Sequence, residues 1–125
     1  MITRNLLRIS VTIAVAGMGW GIAMGVAQDF QLAPAHAHLN LVGYVSLFLA
    51  GIYYQVFPAA ARTGLARIHA WVAVVGGLAF PLALAVVLRY GEEFTPLVIV
   101  GSFIAFIGMI LFATVVFRNS ETAAA

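Results

Sequence analysis

Three histidines are the side chains in this 125-residue sequence best suited by type and setting to do chemistry. His36 and His38 stand in Ala35-His36-Ala37-His38-Leu39-Asn40, at the start of one apolar run, and His69 stands near the start of the next. Ionisable or ligand-forming side chains inside apolar segments of membrane length are rare and usually functional. One residue separates the pair, which on a helix of 3.6 residues per turn is a rotation of about 200°. If helical, His36 and His38 project to opposite sides and cannot chelate one metal together, although each can ligate a centre of its own. If extended, both can reach one copper or zinc ion with Asp29 or Glu92. Pro34 opens the run and nothing after it breaks a helix, so the helical geometry is expected. The plainer alternative is a pair of interfacial imidazoles bonded to headgroups and water, with Asn40 and Gly43 in the same stretch weighing against it.

His69 lies on the order of 25 Å from His38 in depth, at 1.5 Å of rise per residue. It cannot share a cofactor with His38 within one chain. A structural role at the interface is expected for it, beside Arg67 and Trp71 in an aromatic belt. No catalytic constellation emerges, because the acidic residues fall in connections or in the tail. Gly17-Met18-Gly19-Trp20-Gly21 looks like a glycine-rich nucleotide loop only superficially, since no strand precedes it. Cysteine is absent, which excludes disulfides, thiolate metal sites, iron–sulfur ligation, a thiol nucleophile and covalent haem attachment.

The elements that must carry these residues follow from composition. Of the chain, 64% is hydrophobic and 8% charged, and mean hydropathy is +1.09. A soluble domain is roughly 45–50% apolar and about 25% charged, so neither a soluble domain nor a disordered chain fits. A spanning helix needs about 20 apolar residues. Four runs qualify, at about 6–27, 34–57, 68–89 and 96–117. The expectation is one all-α domain over residues 1–125, an integral membrane four-helix bundle of antiparallel hairpins, because the connections are short. The first run is too long for the apolar core of a signal peptide and is read as a helix. Thr95-Pro96 is expected to cap the fourth helix. Pro81 lies mid-helix and should kink the third, freeing the carbonyl of Gly77. The tail after Phe117 is expected to fray.

All six cations are arginines, and the net charge is +2. They are scattered at the ends of apolar runs, which argues against nucleic acid. Arg4, Arg8, Arg62, Arg67 and Arg118 fall on one side of a four-span topology, and Arg89 on the other with Asp29, Glu92 and Glu93. Positive residues stay cytoplasmic, so both termini are expected inside an inner (cytoplasmic) membrane. Gly17, Gly21 and Gly25 recur every fourth residue on one face, which suits close packing within the unit or against another subunit.

His36-Ala37-His38, Gly43-Tyr44 and Gly51-Ile52-Tyr53-Tyr54-Gln55-Val56-Phe57-Pro58, followed by Ile68-His69-Ala70-Trp71, carry a resemblance to a known family. Over about 55 residues, Pro34 to Leu88, the chain resembles the tenth and eleventh helices of haem–copper oxidase subunit I, in the cbb3-type oxidase and nitric oxide reductase branch. There a histidine–any–histidine pair ligates two haems on opposite sides of one helix. The resemblance implies that His36 matches the axial ligand of the high-spin, gas-binding haem. It implies that His38 matches one ligand of the low-spin, electron-carrying haem, and that His69 is not an iron ligand. The chain also departs from the family. It has four helices where the family has at least twelve, no histidine before His36, and none of the three histidines that hold the non-haem metal.

The expectation that results is a small membrane protein binding haem b, lodged in the lipid bilayer as a homo-oligomer or as a subunit of a respiratory complex. It is not a complete oxidase or reductase as a single chain. His36 and His38 would ligate iron, with Asn40 and Tyr44 lining the haem edge, and a second copy would supply the missing axial ligand. Its role would be electron transfer, gas binding or haem handling. Two alternatives stand beside it: a non-catalytic accessory or assembly subunit of an oxidase or nitric oxide reductase, and a periplasm-facing copper or zinc site at His36 and His38.

Overall fold

A computed structural model describes residues 1–124, with side chains as far as 119. Four long apolar helices span Ile2–Ala27, Ala33–Val56, Gly64–Tyr90 and Glu92–Asn119, each long and apolar enough to cross a membrane. No strand occurs among the described residues. Large apolar side chains such as Val15 (72% exposed) and Val26 (82% exposed) face outward. In water such a surface would drive association, whereas in a bilayer it is the contact with lipid.

Local chemistry sets the helix ends, and it moves several of them from the expected positions. The first helix closes at Gln28, in the left-handed conformation (φ 53), whose N–H turns back to the carbonyl of Gly25. The second ends at Val56 because Phe57 precedes Pro58 and is pushed out of the helical region to φ −117, ψ 74. A single turn, Pro58–Ala61, follows. The third starts at Gly64, four residues before the hydropathy suggests, because Thr63 caps it: its Oγ accepts from the Ala66 N–H at 3.1 Å. Thr95 does not cap the fourth helix as expected. A short 3-10 turn, Glu92–Phe94, leads into it, and the Thr95 hydroxyl donates back to the Glu92 carbonyl at 2.7 Å. The tail expected to fray continues the fourth helix, Thr95–Ala124, and Ala125 lies outside the described residues.

The second helix is not uniformly α. Leu39–Val45 forms a π-helical segment between Ala33–His38 and Ser46–Val56. Side chains support the wider turn. The Ser46 hydroxyl donates to the Leu41 carbonyl five residues back, at 2.9 Å. The Asn40 amide donates to the His36 carbonyl at 3.0 Å. Such segments are rare and often mark functional positions.

The second helix packs on both the first and the third, and the fourth lies chiefly against the third. Small residues set the spacing between third and fourth. A Cβ on Gly76 would stand 2.6 Å from the Ala105 backbone, and one on Gly101 would stand 2.8 Å from that of Phe80. Gly77 and Gly43 bring the third and second helices equally close. The Gly77 carbonyl, which Pro81 deprives of its helical donor, would meet a Cβ on Gly43 at 2.9 Å. The apolar core gathers Leu6 and Ile13 from the first helix, Leu39, Leu47 and Tyr54 from the second, Ala66 and Ala70 from the third and Val115 from the fourth.

Candidate site around His36 and His38

Both histidines lie in the α-helical turn Ala33–His38, opened by Pro34 near its start, where a missing N–H costs nothing. The extended conformation that a shared copper or zinc ion would require is not adopted. Among the described residues no group of three or more His, Asp or Glu side chains converges on one point. The two rings meet different helices. His36 lies edge-on to Trp20 of the first helix, with ring centroids 6.0 Å apart. His38 lies edge-on to Phe80 of the third, at 4.9 Å. Both rings are half-buried.

Their hydrogen bonds differ, and with them the nitrogen each ring can offer. Nδ1–H of His38 donates to the Pro34 carbonyl at 2.7 Å. That bond puts the proton on Nδ1 and leaves the Nε2 lone pair free, the arrangement metal-ligating histidines use. Around His36 the Asn40 amide donates to the His36 carbonyl at 3.0 Å and to Nδ1 at 3.3 Å. The same amide stands 3.5 Å from Nε2, so Asn40 lies against the ring of His36 without selecting one of its nitrogens.

The first helix is shaped to receive this pair. A Cβ on Gly21 would stand 2.9 Å from Cε1 of His36, and one on Gly17 would stand 2.6 Å from Oδ1 of Asn40. Two of the three glycines on that face thus serve packing within the chain, whereas nothing lies within 4 Å of a Cβ on Gly25. Beside His36 an open depression of about 600 Å³ is lined by Met18, Gly21, Ile22, Asn40 and Leu41, within the range of cofactor sites. Tyr44 lies farther along the second helix, against Phe48 at 5.9 Å, and no described hydrogen bond ties it to either histidine.

His69 does not sit in an aromatic belt beside Arg67 and Trp71. Those two are exposed, while His69, two residues from each and so about 200° away on the helix, is 3% exposed. The Tyr54 phenol oxygen and its Nδ1 are hydrogen-bonded at 2.8 Å. Phe112 of the fourth helix stacks on it at 5.0 Å. This buried pair was not anticipated. Its signal was positional: Tyr54 and His69 lie similar distances before and after the second connection, hence at equal depth. Tyr54 is ~24 Å along the second helix from His38, at 1.5 Å per residue, so the two sites are separate.

At the opposite end, Gln31 ties the first connection to the third helix. Its Nε2 donates to the Leu88 carbonyl at 2.7 Å, and Arg89 donates to its Oε1 at 2.9 Å. No family model matches the chain, and no curated protein or solved structure was found to be similar to it.

Proposed function

We propose that the chain is a small membrane protein that holds haem b through Nε2 of His38 and completes the iron's coordination with a second copy of itself. One observation carries this reading: the bond from Nδ1 of His38 to the Pro34 carbonyl, which leaves the other ring nitrogen as a neutral donor of an electron pair. The resemblance of residues 34–88 to haem–copper oxidase helices points the same way. His36 has the Asn40 amide against its ring and faces the open depression beside it, so it lines that depression rather than acting as an equal ligand. No second histidine of this chain lies near His38 on its side of the helix, hence the second copy. When bound, haem b supplies a one-electron couple whose potential follows from axial ligation and burial. The chain's own part is to orient an imidazole.

In this reading the helices run antiparallel. Contacts between the first two pair Leu7 with Gly51, Ile13 with Gly43, Gly17 with Asn40 and Gly21 with His36. One number rises as the other falls. Those of the third and fourth do the same, with Ala73 against Gly108, Gly76 against Ala105 and Phe80 against Gly101. The arginine bias then puts both termini on the cytoplasmic side of the inner membrane, with the histidine pair near the outer face.

The test is a visible spectrum of the full chain purified from haem-replete cells. A Soret band is expected for the wild type, lost in His38→Ala and kept in His36→Ala and His69→Ala. A haem-free wild-type protein, or a band that survives His38→Ala and disappears in His36→Ala, overturns the assignment.

A further inference from the structure

The end of the molecule away from the histidine pair holds a cleft of about 530 Å³ between the start of the first helix and the connection from second to third. Arg4 and Arg62 line it from these two elements, together with the polar Thr3 and Gln55 and the apolar Ile2 and Pro58. Both arginines are exposed. Neither has a carboxylate partner among the described residues. The sequence has four acidic residues: Asp29, Glu92 and Glu93 belong to the other end, and Glu121 lies beyond the described side chains. The position is where a spanning helix meets the headgroup layer.

We infer that this cleft binds the headgroup of an anionic phospholipid, the phosphate between Arg4 and Arg62 and the first methylenes of the acyl chains along Ile2 and Pro58. Guanidinium groups match phosphate oxygens in pairs. Two of them lining one cleft from separate elements, with no counter-charge among the described residues, leave a site that an anion completes. A basic pocket between helices at the membrane surface is the arrangement in which lipid headgroups are recognised. A lipid has an advantage over free phosphate here, since the apolar part of the lining has a use only for a ligand with an apolar part.

The experiment uses the full chain in nanodiscs of phosphatidylcholine doped with phosphatidylglycerol, with retained lipid counted by native mass spectrometry. The wild type is expected to retain phosphatidylglycerol above its bulk share. Each arginine removed should lower that preference about fivefold, so the double variant R4Q/R62Q loses it by an order of magnitude. R4K/R62K, which keeps the charge, should retain most of it, and R89Q at the other end should leave it unchanged. Equal retention by R4Q/R62Q and wild type, or an equal loss in R89Q, overturns the assignment. Displacement of the lipid by millimolar inorganic phosphate also overturns it, because the cleft would then recognise phosphate alone. The readout is independent of haem.

Discussion

Replacing Tyr54 by Phe removes a single oxygen from a residue 1% exposed, and with it the hydrogen-bond partner of a histidine 3% exposed. The phenol and imidazole are 2.8 Å apart. The ring stays, its contacts with Tyr53 and Phe112 stay, and no cavity larger than that oxygen opens. What is lost is the bond itself and the satisfaction of Nδ1. An unsatisfied buried polar group costs about 1–3 kcal/mol in proteins generally. Hydrogen bonds between membrane helices average about 0.6 and reach about 1.7 kcal/mol, because the unfolded chain in the membrane also finds partners. Tyr54→Phe should therefore destabilise by about 1–2 kcal/mol. His69→Phe, which preserves the stack on Phe112, should cost a similar amount. The double variant should cost less than their sum by about 1 kcal/mol, since the second substitution removes a group that the first had already orphaned. The assay is reversible unfolding in mixed micelles titrated with SDS, followed by circular dichroism and by the fluorescence of Trp20 and Trp71. Additivity within about 0.3 kcal/mol would refute a coupled pair. Loss of the Soret band in either single variant would refute the separation of this pair from His38.

Gly76→Ala should cost about 1–3 kcal/mol in the same unfolding assay. The new Cβ would sit 2.6 Å from backbone atoms of Ala105 that cannot rotate away, whereas Gly64→Ala, with nothing within 4 Å, should change stability by no more than about 0.5 kcal/mol. Gly21→Leu should expel the His36 ring, seen as a changed imidazole environment by NMR, and Gly25→Leu should leave it unmoved. An unchanged His36 signal in Gly21→Leu would contradict the packing described. Gln31→Ala should leave global stability within about 0.5 kcal/mol but speed amide exchange over residues 28–32, because it cuts both links from that connection to Leu88 and Arg89.

Hydropathy alone determined that the chain has four helices able to span a membrane, because crossing about 30 Å of hydrocarbon demands some 20 apolar residues in a row and each run supplies them. Helical periodicity alone determined that His36 and His38 diverge, as a rotation of 200° follows from their spacing whatever surrounds them. Ends were less legible: a threonine at 63 and a proline at 58 act through hydrogen bonds and backbone sterics that a hydropathy window averages away. The partners of each side chain were decided by the tertiary structure. That Gly21 makes room for His36, that Gly17 makes room for Asn40, and that His69 finds Tyr54 instead of the bilayer surface depend on which helix faces which, and at what height. Those relations are fixed by packing between segments distant in sequence, and no local pattern of residues encodes the distance between two helices.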